Sequence, residues 1–585
     1  MKPPHPLAQT RVPAQTWPFI IDAAVVLCGL AFFLGMIKLG TYWMARPVPA
    51  VVISHSVRAL PLYAFYSVTR IAVAYLFSLI FAVSYGYIAA YNPRVEAWMI
   101  AVLDILQSIP VLSFLPGVML AMMALIPGHQ LGIEMGSILL IFTGQVWNMA
   151  FSFYSSLKSI PSEMIEASRI YRYSAWQRFW QLELPFSAIG LIWNSIVSVA
   201  GGWFFLIVCE MFAFRGTNFR LPGLGSYLQT AASASPVDTH ALFWGLTVLV
   251  LIIVATDQLI WRPLIAWSDK FKFEQTESAT RVTSPILSLL QQTSALTRLP
   301  ARIWGGVEER IYHRLSQTRE CRTVQPMDDT PGKGGKLFPR LLAVFAALAV
   351  LWGLFEAYQL LRGTTWAEIR LLLLCAGATY LRVNTAIILA ALWTIPVGVA
   401  IGSNPRLARF LQPITQVVAS VPATALFPVL MLGLIRIGGG LGVGSIALML
   451  LGTQWYILFN VIAGAMAIPS DLKEAADIYR FTRWQRWTRL ILPGIFPYLV
   501  TGMITASGGA WNASIVSEYF HIGDQTLQTV GLGAQISAAS DSGNISILLL
   551  ATILMASIVV TMNRLVWRRL YRLAETRYKL EGLQG

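Results

Sequence analysis

Two carboxylates, Glu210 and Glu518, stand at the ends of long apolar stretches. An ionisable residue in such a position is a candidate for a solute pathway through a membrane, because a charge in lipid is costly. The alternative is an interfacial acid that accepts hydrogen bonds from a neighbouring helix end. Trp203 and Trp511 lie seven residues earlier on the same helix face, where they would form an aromatic gate or pack in the core. With Asn512, which adds polar atoms on one side only, these residues form the candidate pathway.

A second kind of chemistry, protein docking, is indicated by a segment that occurs twice. EASRIYRYSAWQRFWQLELP spans 166–185 and EAADIYRFTRWQRWTRLILP spans 474–493, with eleven of twenty residues identical. Each copy has a tryptophan (Trp176, Trp484) beside an arginine (Arg178, Arg486), which are residue types favoured at protein interfaces. The pattern predicts a short helix–turn–helix that docks a partner protein. The alternative is an amphipathic loop held against lipid headgroups.

Nothing in the sequence indicates catalysis by this chain. We find no pattern typical of a catalytic triad, a metal site or a paired-carboxylate hydrolase. GKGGK at 332–336 lacks the Ser or Thr that follows Lys in a phosphate loop, and no strand precedes it. We therefore expect no enzyme activity and no cofactor bound by the chain itself. The cysteines are scattered and form neither a metal spacing nor a disulfide framework: Cys28, Cys209, Cys321 and Cys375.

The composition requires a lipid environment. Of 585 residues, 56% are hydrophobic and only 12% are charged, about half of what a soluble domain carries. Apolar runs of membrane-spanning length recur, and helices satisfy their own backbone in lipid, so we predict an all-α polytopic membrane protein. The stretches 51–66 and 365–380 are predicted to be short interfacial helices. Twelve spans are predicted, at 18–40, 68–91, 98–124, 133–157, 187–212, 241–263, 338–361, 382–402, 409–434, 441–466, 494–517 and 545–567.

The two halves of the chain are copies of each other. Residues before about 130 recur 312 positions later and those after it recur 308 positions later, as in NPR at 92–94 and 404–406. Six spans in each half make the repeats parallel, with a pathway at the seam between them. The predicted segments are a tail and first span (1–60), a first repeated domain (61–267), a linker (268–336), the first helix of the second half (337–375), a second repeated domain (376–570) and a tail (571–585).

The net charge of +15 is best explained by topology. Basic residues cluster in the two repeated segments, in the linker and in the tail, whereas 516–543 has no Lys or Arg. Because such residues concentrate in cytoplasmic loops, both termini, the linker and both repeated segments are predicted to be cytoplasmic. A nucleic-acid partner is not expected, and lipid is.

The repeated segments resemble the cytoplasmic coupling loop of binding-protein-dependent ABC transporter permeases, and the chain looks most similar to their nitrate/sulfonate/taurine/bicarbonate branch. The family has E-A-A, a Gly four residues on, and a closing I-x-L-P. This chain departs from it at the Gly, which is Arg172 and Arg480 here, and we expect a different turn and an added positive charge. The opening triads that match are Glu166, Ala167, Ser168 and Glu474, Ala475, Ala476.

The resemblance implies a type I importer-like permease in a bacterial inner membrane, with two permease units fused in one chain. It implies two cytoplasmic ABC ATPase subunits that bind ATP and Mg²⁺ and grip the two loops, and a periplasmic or lipid-anchored substrate-binding protein. It also implies a small anion as substrate, of the sulfonate, nitrate, taurine or bicarbonate type. Two alternatives remain: a twelve-helix secondary transporter without an ATPase, and a membrane scaffold that recruits a soluble partner.

Overall fold

The fold is described from a computed structural model. The predicted span at 18–40, the linker from 272 to 336 and the end of the C-terminal tail lie outside the described residues, and the predicted span at 338–361 lies mostly outside them. By its internal contacts the chain divides into two compact units, 1–43 with 160–192 and 257–326, and 44–159 with 193–256 and 327–585. The residues that the structure describes are 42–44, 51–214, 217–271, 348, 351, 352, 355, 356, 358–436, 440–522 and 525–578.

Helices dominate both halves of the chain. Within the described residues, eight helices are long and apolar enough to cross a membrane. The helices of the first half are α1 (Leu60–Tyr91), α2 (Pro93–Ser108), α3 (Leu115–Leu125), α4 (Leu131–Lys158), α5 (Ser162–Ile170), α6 (Ala175–Arg178), α7 (Leu184–Cys209), α8 (Leu224–Ser233), α9 (Thr239–Thr256) and α10 (Arg262–Ser268). Those of the second half are α11 (Trp366–Ser403), α12 (Pro405–Ser420), α13 (Ala423–Arg436), α14 (Leu441–Ala467), α15 (Ser470–Ile478), α16 (Arg483–Gln485), α17 (Leu492–Ser517), α18 (Leu532–Ser542), α19 (Ile545–Met562) and α20 (Arg568–Arg577).

The third predicted span of each half is not one helix. The structure divides 98–124 between α2 and α3 and divides 409–434 between α12 and α13, and the second pair is bent by 82°. Each break falls before a proline, Pro110 or Pro422, which has no N–H to donate and forces the preceding residue into an extended conformation. Ile109 and Val421 accordingly have ψ angles of 131° and 118°.

The two interfacial helices predicted at 51–66 and 365–380 are wrong as separate elements. Residues 51–56 are not helical, and α1 then runs without interruption to Tyr91 after a single 3-10 turn. The helix α11 begins at a capping box between Thr365 and Glu368 and continues to Ser403. No proline interrupts either helix near the predicted boundary, so each short segment is the first part of a long span.

Each half also contains a short β-hairpin that the sequence did not predict. β1 (Met211–Phe214) pairs with β2 (Thr217–Arg220), and β3 (Tyr519–Ile522) pairs with β4 (Gln525–Gln528). In the first hairpin the Phe212 and Phe219 rings stack 4.9 Å apart. Both hairpins follow the long helix α7 or α17 and lead into α8 or α18, so the repeat extends to this detail.

The long helices pack through small residues and leave large ones outside. On α1, the buried Ala74, Ala82 and Ala89 recur at seven- or eight-residue spacing and form one face. Leu76 and Ile80 on the same helix are exposed. Small residues at helix interfaces and large apolar residues on the outer surface are the pattern of helices packed in lipid. The chain is therefore a multi-pass membrane protein.

Candidate functional site

The first docking segment, the name used for residues 166–185 after their predicted role, begins within α5, and that helix ends in a tight turn. The Tyr173 N–H donates to the Ser168 carbonyl at 3.0 Å, and the Arg172 N–H donates to the Arg169 carbonyl at 3.0 Å. This pair of bonds is a Schellman motif, which satisfies carbonyl groups at a helix end. Its central residue, Arg172, has a φ of 51°.

The second docking segment, residues 474–493, has the same turn. The Phe481 N–H donates to Ala476 and the Arg480 N–H donates to Asp477, at 2.9 and 3.0 Å, and Arg480 has a φ of 49°. Glycine is favoured in this left-handed region because it has no Cβ. The expectation of a different turn at Arg172 and Arg480 is therefore wrong, because both arginines adopt the conformation that a glycine would take. Both are exposed, so each does add a positive charge to the surface.

A capping box begins the second helix of each docking segment. The Gln177 N–H donates to Ser174 Oγ, and the Ser174 N–H donates to Gln177 Oε1. Thr482 and Gln485 make the same reciprocal bonds. Both segments carry the Ser/Thr-x-x-Gln pattern of a capping box, as S-A-W-Q and T-R-W-Q, so this element could be predicted from the sequence. A π-helical turn, Phe179–Glu183 or Arg486–Ile491, then joins the segment to α7 or α17.

The opening triads of the two segments present the same face. The acids Glu166 and Glu474 are exposed, whereas the third residues, Ser168 and Ala476, are buried. The second residues, Ala167 and Ala475, are partly buried. The third position of each triad is thus a small residue on the buried side of its helix.

The tryptophans of the docking segments are exposed to different degrees. Trp176 is 36% exposed and lies edge-on to Trp180, with ring centroids 5.3 Å apart. Trp484 is 76% exposed. A large aromatic side chain left at the surface is available to insert into a partner.

Arg178 and Arg486 occupy matching positions in the two segments, but they pair with carboxylates from different positions. Arg178 is 9% exposed, and its Nε donates to Glu183 Oε1 at 2.6 Å, so it is not on the surface as the sequence suggested. Position 183 corresponds to Ile491 in the second copy, and there Arg486 pairs instead with Asp477 on the surface. Each arginine keeps a carboxylate, although the carboxylate comes from a different position.

The carboxylate of Glu210 is buried in a hydrogen-bonded cluster. Arg70 Nη1 donates to Glu210 Oε1 at 2.6 Å, and Ser67 Oγ donates to the same oxygen at 2.6 Å. The other oxygen accepts the Gly225 N–H at 2.6 Å, in the first turn of α8. Arg70 also donates to both oxygens of Glu134, at 2.6 and 2.7 Å. Arg70 and both acids are at most 1% exposed.

Glu518 makes the equivalent cluster in the second half. Thr379 Oγ1 donates to it at 2.8 Å, Arg382 Nη1 donates at 3.0 Å, and the Gly533 N–H donates at 2.9 Å. Both acids therefore accept hydrogen bonds from a neighbouring helix end, as the alternative to a pathway role expected. A carboxylate at a helix N-terminus is favoured by the free N–H groups and the helix dipole there.

The GLG sequences, 223–225 and 531–533, recur because backbone and carboxylate meet at these points. A Cβ on Gly223 would lie 2.3 Å from the Glu210 carboxylate, and one on Gly531 would lie 2.1 Å from Glu518 Oε2. Both glycines have an extended backbone, with φ of 178° and −175°. Close approach, and not an unusual φ, is thus what requires glycine.

The two buried clusters differ in charge. Glu134 corresponds to Gly442 in the second half, where Arg382 donates instead to Thr529 Oγ1 at 2.9 Å. The bond from Arg382 to the Val530 carbonyl, at 2.7 Å, is the counterpart of the bond from Arg70 to the Pro222 carbonyl, at 2.9 Å. The first cluster thus joins one arginine to two carboxyls, and the second joins one arginine to one carboxyl. The shared contacts make Arg70 and Arg382 positioning residues for the helix that follows each hairpin.

Of the remaining pathway candidates, the two tryptophans are buried and Asn512 contacts the other half. Trp203 and Trp511 are 3% and 1% exposed, so they pack in the core in this conformation and do not form an open gate. Asn512 is partly buried, and its Oδ1 accepts the Leu112 N–H of the first half at 3.4 Å. A small cavity lies elsewhere between residues of the two halves, and apart from Thr424 and Ser517 its lining is apolar. It is lined by Phe204, Ala423, Thr424, Phe427, Leu448, Ala513, Val516 and Ser517.

The described part of the chain contains no group of three or more His, Cys, Asp or Glu side chains that could hold a metal ion. The buried acids Glu134, Glu210 and Glu518 instead accept hydrogen bonds from arginine, hydroxyl or backbone N–H groups.

Comparison with known proteins gives matches in both halves. The profile of the family described as "Binding-protein-dependent transport system inner membrane component" matches residues 62–258 and 394–578. A nitrate import permease protein of Leptolyngbya laminosa is 30% identical over 190 residues, which are 32% of this chain and 64% of that protein. A bicarbonate transport system permease protein of Synechococcus elongatus is 27% identical over 189 residues, 32% of this chain and 65% of that protein. A taurine transport system permease protein of Escherichia coli is 28% identical over 166 residues, 28% of this chain and 56% of that protein. The matches thus span less than two thirds of the length of each of these relatives.

Proposed function

Because this chain belongs to the family of binding-protein-dependent transport system inner membrane components, whose profile matches it twice, we propose that it is the transmembrane permease subunit of an ATP-driven importer. Two permease units fused in one chain would supply both walls of the pathway. The relatives are transport permease components by name and not enzymes. ATP and Mg²⁺ would bind to separate subunits.

One observation carries this proposal: the docking segment exists twice with the same geometry. Both copies have an exposed acid, a buried small residue, a left-handed arginine, a capping box and an exposed tryptophan. A twelve-helix secondary transporter has no need for two matched docking surfaces. A membrane scaffold would need no pathway between two pseudo-symmetric halves.

The partners follow from this function. Two cytoplasmic ATPase subunits would grip the segments 166–185 and 474–493, and a periplasmic or lipid-anchored substrate-binding protein would deliver the solute. Both termini would be cytoplasmic, in keeping with the basic linker and tail. The substrate would be a small anion, since the relatives are named for nitrate, bicarbonate and taurine.

The test reverses the charge of both exposed acids, Glu166→Lys and Glu474→Lys, in the tagged full chain. The purified complex is then assayed for bound ATPase subunit and for Mg²⁺-ATP hydrolysis. We expect both to be lost, because the acids lie on the proposed contact face. Glu308→Lys/Glu309→Lys, a double charge reversal in the predicted cytoplasmic linker and outside both segments, is the matched control and should change neither. Wild-type levels of both in the double variant would refute the docking assignment.

A further inference from the structure

The helix that follows the last span, α20, has one face fixed against the protein. Trp567, which ends the π turn Asn563–Trp567, is 8% exposed, and Ala574 is 1% exposed. The Tyr578 ring lies 4.8 Å from the ring of Phe496, near the start of α17. These three residues recur at seven- and four-residue spacing and so share one side of the helix.

The other side of this element carries arginines. Arg564, Arg569 and Arg572 are all exposed. Leu565 and Leu573, which are 53% and 36% exposed, lie among them. The exposed face thus mixes guanidinium groups with apolar side chains, and this mixture suits the boundary between lipid headgroups and acyl chains.

The position of the arginines along the helix matches the headgroup layer. α19 has 18 residues without any charge, which at 1.5 Å per residue is about 27 Å and close to the thickness of a bilayer core. Arg564 is two residues beyond its end, and Arg572 is roughly 12 Å further along the axis. Helical side chains lean towards the N-terminus, which here is the membrane, so all three arginines reach back towards the headgroups.

The first half offers a matched element that lacks this surface. The π turn Asp257–Trp261 also ends at a buried tryptophan and leads into α10. Aligned on the two tryptophans, Arg564, Arg569 and Arg572 correspond to the uncharged Gln258, Pro263 and Ala266. The arginine that is common to both elements, Arg262, is paired with Asp257 at 3.3 Å. A requirement for basic residues beside a span would apply equally to both halves, so it does not explain the difference.

We propose that the face formed by Arg564, Arg569 and Arg572 binds the phosphate of anionic phospholipid headgroups, and that the first half has no such site. Guanidinium groups bind phosphate oxygens in a bidentate manner, and each basic residue near an anionic surface adds to the attraction. Leu565 and Leu573 would contact the apolar part of the same lipids. The site fixes an anionic lipid on the element that packs on α17, which is the helix continuous with the second docking segment.

The test uses the full chain in nanodiscs with spin-labelled phosphatidylglycerol or phosphatidylcholine as the probe. The immobilised fraction of each lipid gives the preference for the anionic headgroup. We expect the wild type to prefer phosphatidylglycerol, and we expect Arg569→Gln/Arg572→Gln to weaken the preference for phosphatidylglycerol about thirtyfold. The matched control, Arg406→Gln/Arg409→Gln, removes two exposed arginines on α12 and should keep the preference.

Three results would overturn the proposal. The first is an unchanged preference in the Arg569/Arg572 variant, and the second is an equal loss in the control, which would indicate net charge alone. The third is displacement of the labelled lipid by inorganic phosphate at the same nanodisc composition, which would identify a site for free phosphate and not for a lipid surface. Because α20 is probed without any ATPase, these results do not depend on the proposed transport function.

Discussion

The buried arginine of the first half should be far less tolerant of substitution than its copy in the second half. Arg70→Met removes the donors to Glu134, to Glu210 and to the Pro222 carbonyl, which it contacts at 2.9 Å. Two carboxyls, both 0% exposed, would then lie together without a cation. Arg382→Met leaves only Glu518, which keeps its bonds from Thr379 and from the N-terminus of α18.

The magnitudes follow from these contacts. Breaking a buried ion pair by removing one partner costs about 3–5 kcal/mol, because the remaining charge is buried and uncompensated. We expect Arg70→Met to reach the upper end of that range, since two acids lose their partner. Arg382 has a side chain that is 15% exposed, and only one acid loses its partner, so the loss of Arg382 should cost about 1–3 kcal/mol.

The measurement is denaturant unfolding in detergent, followed by intrinsic tryptophan fluorescence. Combining Arg70→Met with Glu134→Gly should recover part of the lost stability, because the second half shows that the cluster can exist with glycine, Gly442, at that position. The reasoning is refuted if Arg382→Met is as harmful as Arg70→Met. It is equally refuted if the double variant is no more stable than Arg70→Met alone.

Three further predictions concern single positions outside that cluster. Arg480→Gly should raise the free energy of unfolding, measured by chemical denaturation, by about 1 kcal/mol, because a φ of 49° strains any residue with a Cβ. A lower free energy of unfolding would contradict this prediction. Gly531→Ala should destabilise the protein by more than about 2 kcal/mol, because the added Cβ would lie 2.1 Å from a buried carboxylate oxygen. Gly377→Ala, where an added Cβ would have nothing within 4 Å, should leave the stability unchanged. An equal fall in melting temperature in both variants would contradict this reasoning. Burial raises the pKa of Asp541, but hydrogen bonds from His521 and a tyrosine outweigh it and hold the pKa below its usual value. The stability from Asp541 is therefore present above the unfolded pKa near 4 and is lost as the pH falls through the lower folded value, and Asp541→Asn should flatten the pH dependence of the melting temperature in that acidic window.

The sequence was sufficient for the architecture where one simple rule dominates. Long uncharged runs predicted spanning helices such as α4 and α19, because lipid leaves the backbone no other way to satisfy its hydrogen bonds. The internal repeat predicted two copies of the same arrangement of helices, because the matching residues keep one register through both halves. The break in the third span of each half was not predicted, because hydropathy does not register the N–H group that a proline lacks. The prolines that cause the breaks, Pro110 and Pro422, are nevertheless visible in the sequence.

The candidate sites were predicted less completely, because contacts between distant residues have no local signal. Glu210 was recognised as an unusual acid, but its cluster with Ser67, Arg70 and Glu134 joins positions up to 143 residues apart. The turn at Arg172 was misjudged because tertiary context can hold a non-glycine residue at positive φ. The roles of the docking and pathway residues stay predictions until the variants are made.

The helix from Arg483 to Ser517 runs for 35 residues, about 52 Å, from an exposed tryptophan at one end to a carboxylate clasp on α18 at the other. If this helix tilts as a unit, a movement at Trp484 displaces Glu518 as well. Pro497 and the π turn Arg486–Ile491 are the points at which the helix would bend instead. One continuous helix thereby connects the second docking segment to the carboxylate cluster at the N-terminus of α18.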